Sequence, residues 1–343
     1  MTSRRFSVTI ILMAAAMALL VMACLVYGSV EIPARDVFNI LMGKGSANSA
    51  WQVIVLQSRL PMIVTAALAG SALSVSGLLL QTTFNNPLAG PSILGVSSGA
   101  GLGVAIVILA MGGTLGGVLA GTGSFVAILV GALLGAAAVL AVLIAFSSIV
   151  RSNTMLLIIG ILVSYLTSSV VQLLNSMATE QGVNNYVAWG FGNFSGVSLT
   201  MLPLYAGIII VALVAAAMMV KPLNAMLLGE RYARNLGIDV SRSRNILLLI
   251  TGVLTAVVTA FCGPIGFIGL VVPHIARLAL GTSNHSRLVP ATTLAGADVA
   301  LLCAFIGYCN PQGVIPVNAI TPVIGVPIIL YIILNRRRIQ YFN

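Results

Sequence analysis

Long apolar segments recur along the whole chain, and short polar or glycine-rich turns separate them. A helix needs about 20 apolar residues to cross the hydrocarbon core of a bilayer, so this pattern predicts ten membrane spans. Their predicted ranges are 7–27, 59–81, 92–111, 120–146, 153–175, 200–220, 245–262, 265–281, 288–309 and 316–334. We therefore expect an all-α integral membrane protein in which ten transmembrane helices form a single domain, residues 1–343.

The composition excludes a soluble globular domain, because 59% of the residues are hydrophobic and only 6% are charged. The chain also contains 35 glycines, and small residues let helix backbones approach each other closely in lipid. Gly99 with Gly103, and Gly131 with Gly135, have the small-xxx-small spacing of such contacts. We interpret these glycines as helix-packing positions rather than as ligand positions.

The lysines and arginines predict the orientation, because cytoplasmic loops carry an excess of them. With the N-terminus inside, all but three of the 16 lie on the cytoplasmic side, the exceptions being Arg35, Lys44 and Arg59. The even number of spans also places the basic tail, residues 336–338, inside, so both termini are predicted to be cytoplasmic. The first apolar run could instead be a signal peptide. It is long enough to span, however, and we expect it to be retained.

The same bias accounts for the net charge of +10, and we expect no nucleic-acid partner. The four cysteines form no CxxC motif and no Cys/His cluster, so the sequence predicts neither a metal site nor a disulfide framework. The aromatic residues Tyr186, Trp189 and Phe191 are most simply an interfacial belt. A role for them in receiving a substrate is the less favoured interpretation.

No catalytic constellation is found, and neither lysine lies in a GxxxxGK[ST] phosphate-binding loop. Asp298 is the one carboxylate inside a predicted span, and an acid at membrane depth is a functional hypothesis by default. Asp298 could serve a proton- or ion-coupled secondary transporter. It could equally pair with an arginine or accept hydrogen bonds from neighbouring helices, and the residues alone favour this structural role.

Residues 221–244 form a compact charged segment between two predicted spans. We predict helical structure from Asn224 to Asn235, a stop at the following Leu-Gly pair, and a new helical start at Asp239. A charge run of this kind is usually a solvated loop. The segment also contains several leucines that need a covering surface, and it therefore predicts a soluble partner.

Two short turns on the same side could close a passage or could simply reverse the chain. The first turn, residues 84–91, contains Asn86 and Leu88, and the second, residues 147–153, begins with Ser147 and Ser148. Spacing alone favours simple chain reversal.

Four sequence blocks, in this order, closely resemble the FecCD/BtuC-type permease subunits of bacterial ABC importers for cobalamin, haem and ferric siderophores. They run from Arg59-Leu60-Pro61 to Pro91, from Ile93 to Ala100, from Leu228 to Gly237, and from Gly263 to Arg277. The resemblance implies a type II ABC importer permease in the bacterial inner membrane, which works by alternating access. It also implies a second permease copy, a homodimer or a paralogue pair, with two ATP-binding subunits and an extracytoplasmic substrate-binding protein.

The resemblance further implies roles for individual residues. This chain would hold no cofactor, metal or catalytic residue, because ATP and Mg would be bound by the partner ATPase. The ATPase-coupling residues would be Gly229, Glu230, Ala233, Leu236 and Gly237. Asn86, Leu88, Ser147 and Ser148 would lie at the cytoplasmic gate, and Arg59 would help to dock the binding protein.

The chain departs from the family pattern at positions where docking charges are usual. Met62 replaces a second basic residue, and Cys303, Gly307 and Val314 stand near positions where the family commonly carries charges. Docking through paired salt bridges is therefore in doubt, and recognition by a more apolar surface is the alternative.

Overall fold

Apolar runs with few charges form helices throughout the computed structural model, because a helix satisfies its backbone hydrogen bonds internally. The structure describes residues 2–28, 30–44, 48–110, 122–150, 152–310 and 313–334, and all the regular structure in these ranges is helical. The α-helices are α1 (Thr2–Val26), α2 (Ala34–Leu41), α3 (Ser49–Val53), α4 (Leu60–Thr83), α5 (Val96–Ala105), α6 (Thr122–Ile149), α7 (Asn153–Met177), α8 (Glu180–Gly190), α9 (Leu202–Met218), α10 (Val220–Met226), α11 (Glu230–Asn235), α12 (Val240–Cys262), α13 (Ile268–Leu280), α14 (His285–Tyr308) and α15 (Val317–Leu334). Two π-helical turns, Ile54–Arg59 and Ile106–Ala110, precede α4 and follow α5.

In the part of the chain that the structure describes, six helices are long and apolar enough to cross a membrane. They are Arg4–Val26, Ser49–Thr83, Phe125–Ile149, Asn153–Met177, Val240–Cys262 and His285–Tyr308. The pair α9 and α10 meets the same test together but is bent by 49°. Three shorter apolar helices are Val96–Leu109, Ile268–Leu280 and Val317–Tyr331. Every predicted span overlaps one of these helices, although length alone identifies only the first six.

Helix α4 lies at the centre of the fold, where it packs against α14, α12, α13 and α9. Its close neighbours approach it at glycines. A Cβ added to Gly70 would overlap the carbonyl oxygen of Gly296 on α14, and one added to Gly77 would overlap that of Gly269 on α13. Close backbone contact of this kind replaces the hydrophobic effect as the driving force for helix association in lipid.

Helices α5 and α6 pack in the same way, and this confirms the packing role predicted for their glycines. Gly99 lies against Gly135, and Gly103 against Gly131, so that an added Cβ at either α5 position would overlap the backbone of α6. The neighbouring helix fills the space beside these glycines and leaves no room for a ligand.

Two of the short helices begin later than the sequence predicts. The spans expected from residues 92 and 265 become helical only at Val96 and Ile268. The residues before them form irregular loops, which end at Gly95 with a φ of +78° and at Phe267 with a φ of +66°. The proline in each loop disfavours helical geometry for the residue before it. The shorter helices leave room for these loops inside the protein, where irregular backbone is tolerated at membrane depth.

Candidate functional site

The charged segment 221–244 folds into two short helices and the start of a long one. Its helical region is not continuous from Asn224 to Asn235 as predicted, because the chain turns between α10 and α11 at Gly229, whose φ is +97°. Glycine adopts this left-handed region without the steric penalty of a Cβ. The segment therefore has a hinge inside the range that periodicity assigned to one helix.

The predicted stop at Leu236–Gly237 is confirmed. Gly237 has a φ of +80°, its N–H donates to the Arg234 carbonyl at 2.9 Å, and the Ile238 N–H donates to the Ala233 carbonyl at 3.0 Å. These two bonds form a Schellman motif, which satisfies the last carbonyls of α11. The Asp239 side chain then accepts from the Arg242 N–H at 2.9 Å and caps α12.

Of the two apolar coupling residues that the resemblance implies, Ala233 and Leu236, only Leu236 is exposed. Ala233 is fully buried, and it is therefore not available to contact a partner in this conformation. Leu236 is 56% exposed, and so are Leu228 at 63% and Tyr232 at 52%. We call these three residues the apolar patch. Large apolar side chains on a polar surface segment mark an interaction site.

Glu230 opens α11 and has two neighbours. One carboxylate oxygen lies 3.6 Å from the Arg234 guanidinium, in the ion-pair spacing of one helical turn. The other accepts a hydrogen bond from the Asn153 amide at 3.0 Å. Asn153 is the first residue of α7, so the coupling residue predicted from the sequence is connected directly to a long apolar helix.

The first predicted gate turn is held in place by its own side chains and by α13. Asn86 Oδ1 accepts from the Leu88 N–H at 2.9 Å, which is an Asx-type turn. The Pro87 carbonyl accepts from Nε2 of His274 at 2.7 Å. Leu88 is 46% exposed. The turn therefore presents one apolar side chain at the surface, while the hydrogen bond from His274 holds its backbone in place.

In the second predicted gate turn, one of the two serines is buried and the other is exposed. Ser147 is buried, and its hydroxyl donates to Asn245 at 2.7 Å and accepts from Nε of Arg244 at 3.0 Å. Ser148 is exposed and donates to the Ala145 carbonyl at 2.6 Å. The structure therefore makes Ser147 a member of a buried polar network, and it leaves only Ser148 accessible to a passage.

Arg59 does not project outward as its predicted docking role requires. It is only 6% exposed, and its guanidinium donates to the carbonyls of Leu25, Val26 and Val30, the second at 2.9 Å. These carbonyls lie at and just beyond the C-terminal end of α1, where a cation is favourable. In this structure Arg59 therefore joins α1 to the start of α4, and its role in docking the binding protein stays a prediction.

Asp298 is half-buried in α14, and its Oδ1 has no hydrogen-bond partner in the described part of the chain. The ion pair that the structure shows in the described ranges joins Arg234 and Glu230, and the predicted arginine partner for Asp298 is not seen there.

A cavity of about 480 Å³ opens between α5, α7, α8 and the loop before α13. Its lining includes hydroxyl, amide and aromatic side chains, and among the described residues it contains no ionisable acid or base other than a tyrosine. Representative lining residues are Ser97, Ser98, Gln172, Tyr186, Trp189 and Asn318. Tyr186 and Trp189, which the sequence suggests as interfacial belt residues, are stacked with ring centroids 6.0 Å apart.

Several polar residues that connect these features were not singled out by sequence reasoning. They are Gln81, Asn153, Asn224, Arg244 and His285. Each lies within two turns of the end of a helix. At such positions the sequence alone suggests that a polar side chain is exposed to solvent. Their actual partners are distant in the chain and could not be read from local spacing.

Comparisons with known proteins agree with the helical architecture. The sequence pattern of the FecCD transport family matches residues 16–335. The vitamin B12 import system permease protein BtuC of Citrobacter koseri is 34% identical over 289 residues, 84% of this chain and 84% of that protein. BtuC of Escherichia coli is 33% identical over 288 residues, 84% of this chain and 85% of that protein.

A solved structure described as an inward-facing conformation of a metal-chelate type ABC transporter is similar over 96% of this chain and 98% of its own, with a TM-score of 0.82 and 28% sequence identity. The fold, the family pattern and the relatives all lead to the same assignment, and the chain belongs to the FecCD transport family.

Proposed function

We propose that this chain is the permease subunit of an ATP-driven ABC importer that carries a metal chelate into the cytoplasm. The family membership and the metal-chelate transporter of similar fold support the class of cargo. Among cobalamin, haem and ferric siderophores, cobalamin is our first choice, because the relatives described above are vitamin B12 permeases. Among the described residues, the cavity beside Tyr186 and Trp189 offers hydrogen-bonding and stacking groups and no fixed charge, which suits a weakly held cargo.

The proposed topology has ten spans in one domain, residues 1–343, in the bacterial inner membrane. The six long helices, the bent pair and the three short helices support this number, since the short ones are completed by irregular loops at membrane depth. The basic residues support an orientation with both termini in the cytoplasm. The arginines of residues 336–338 and Arg151 that contribute to this orientation lie outside the described residues.

The apolar patch on segment 221–244 is the observation that carries the proposal. In this topology, Leu228, Tyr232 and Leu236 face the cytoplasm on α11 and the turns at its two ends, where an aromatic and aliphatic cluster is typical of an interface hot spot. We assign the patch to contact with an ATP-binding subunit. Gly229 and Gly237 set the two ends of α11, Glu230 connects it to α7, and buried Ala233 anchors it to the rest of the chain.

The chain itself is proposed to bind no cofactor and to catalyse no reaction. Two partner subunits bind ATP and Mg, and their motion reaches the permease through the patch. A second copy of the chain completes the passage, and an extracytoplasmic binding protein delivers the cargo. Asn86, Leu88 and Ser148 are the gate residues that remain accessible, and alternating access moves the two cytoplasmic turns that contain them.

Affinity purification of the tagged chain from its own host tests this proposal. We expect ATP-binding subunits to co-purify with two permease copies, and the reconstituted complex to take up radiolabelled cyanocobalamin only when ATP and the binding protein are present. Haem and a ferric siderophore, offered in parallel, identify the cargo if cyanocobalamin is not transported. Uptake by the chain alone, driven by a pH gradient, would contradict the proposal and favour a secondary transporter.

A further inference from the structure

Two polar connections link the charged segment 221–244, which we now call the coupling segment, to the last turn of α4. The first runs through Asn153, whose amide nitrogen donates to Glu230 at 3.0 Å and to the Thr83 carbonyl at 3.1 Å. Its amide oxygen accepts from Arg244 at 3.2 Å. Both amide hydrogens and the amide oxygen are therefore engaged, each with a different helix, and this fixes the orientation of the side chain.

Arg244 extends this first connection to the end of α6. It is buried, and it donates to the carbonyls of Ser147 at 2.6 Å and Val150 at 3.2 Å. These carbonyls belong to the C-terminal end of α6, where orphan acceptors need partners. The neutral amide of Asn153 thus lies between the carboxylate of Glu230 and the guanidinium of Arg244.

The second connection runs through His285, the first residue of α14, which is fully buried. The Asn224 side-chain oxygen accepts from the His285 backbone N–H at 2.8 Å and lies 2.9 Å from Nδ1. Because that oxygen can only accept, Nδ1 carries the proton. Nε2 lies 2.8 Å from the Thr82 hydroxyl. Asn224 belongs to α10, so this connection also begins in the coupling segment.

The two connections end on Thr82 and Thr83, which are consecutive residues and the last two of α4. Both are buried, and the gate turn with Asn86 and Leu88 follows directly. The coupling segment therefore holds the base of the gate turn at two points, one on each side of the α11 hinge at Gly229. Buried polar networks in which every member is satisfied are rigid, so a displacement of the segment acts on the turn.

We infer that Asn153 and His285 are positioning residues that transmit motion of segment 221–244 to the gate turn at residues 84–91. This inference rests on the proposed function, because the motion is supplied by the ATP-binding subunits. It assigns a route through four named side chains, Glu230, Asn153, Asn224 and His285, rather than through the helices as rigid rods.

The test measures the gate turn directly and does not depend on the cargo. The permease carrying Leu88→Cys is purified with its ATP-binding subunits, and the rate of labelling by a water-soluble maleimide is measured with and without ATP. The same complex without this substitution gives the background from the native cysteines. We expect ATP to change the labelling rate in the Leu88→Cys complex. Adding Asn153→Leu, which keeps the volume but removes the amide, should remove most of that change.

Further variants separate transmission from simple stability. N153D can donate neither to Glu230 nor to the Thr83 carbonyl and should reduce the response, whereas Glu230→Gln keeps an acceptor for the Asn153 amide and should retain much of it. Thr82→Val removes the hydroxyl partner of His285 at nearly constant shape, and combined with Asn153→Leu it should abolish the response. If Asn153→Leu does not fold, the contrast between N153D and Glu230→Gln decides the question.

The possible failures are distinct. If no ATP-binding subunit co-purifies, or if ATP does not change the labelling rate of the Leu88→Cys complex, the proposed function is wrong. If that complex responds to ATP, and the Asn153 and Thr82 variants respond equally well, the proposed function stands and the positioning role of Asn153 and His285 is refuted.

Discussion

Gly103 on α5 and Gly131 on α6 meet backbone to backbone, so that neither position has room for a Cβ atom. Gly103→Ala should therefore force the two helices apart, and overpacking of this kind destabilises a protein by about 1–3 kcal/mol. Thermal unfolding of the purified protein in detergent, followed by tryptophan fluorescence, should show a lower Tm. The same defect is expected for the Gly99–Gly135 pair.

The matched control for this prediction is Gly207→Ala on α9, where no atom lies within 4 Å of the added Cβ. Alanine is favoured over glycine in a helix interior by about 1 kcal/mol, so this control should leave the Tm unchanged or raise it. Equal effects at the two positions would show that the α5–α6 contact is not tight.

The apolar patch predicts a specific loss of partner binding. Leu236→Asp puts a charge where a partner covers apolar surface, and losing a hot-spot residue costs about 2 kcal/mol or more in binding, roughly a 30-fold weaker affinity. Co-purification of the ATP-binding subunits and ATP-driven transport should both fall, while the Tm of the permease stays the same. Leu199→Asp, at a leucine that is 42% exposed in the α8–α9 loop on the outer side of the proposed topology, should retain co-purification of the ATP-binding subunits.

We expect substitutions of Arg244 and of Arg242 to change the free energy of unfolding by very different amounts. Arg244→Gln removes hydrogen bonds to Ser147, Val150 and Asn153 and should lower the free energy of unfolding by about 3 kcal/mol, the size expected for a buried charge network. Arg242→Gln, at an exposed position, should change it by less than about 0.5 kcal/mol. Similar unfolding curves for the two variants would contradict the network.

Arg59 predicts a stability defect rather than a docking defect. Arg59→Gln removes the guanidinium from the carbonyls at the end of α1 and should destabilise the protein by about 2 kcal/mol. Arg35→Gln, at an exposed arginine, serves as the control and should leave the Tm unchanged. A variant of Arg59 that is fully stable but no longer binds the extracytoplasmic binding protein would restore the docking interpretation.

The repeated apolar runs made the helices predictable, and the paired glycines of α5 and α6 were predictable from their spacing. The hinge at Gly229 was missed, because the residues on both sides of it are good helix formers and periodicity cannot distinguish one helix from two. The burial of Ala233 was missed for a different reason. Which face of α11 turns inward depends on how it packs against α10 and α12 once the chain has turned at Gly229.

The polar residues show the same limit. Asn153, Asn224 and His285 are unremarkable in the sequence, because a single amide or imidazole near a helix end is normally hydrated. Their partners Glu230, Thr82 and Thr83 come from other helices, and only the arrangement of α4 at the centre brings them together. Charged residues were easier to notice, yet the bonds of Arg59 were not predicted, because local spacing does not show that the end of α1 lies beside it.

The bond between Arg59 and the end of α1 also bears on biosynthesis. An arginine near the end of a membrane span is costly to insert into the bilayer when its N–H groups have no hydrogen-bond acceptors. Helix α1 precedes α4 in the chain, so its terminal carbonyls are synthesised before Arg59. The order of synthesis therefore supplies the acceptor before the donor.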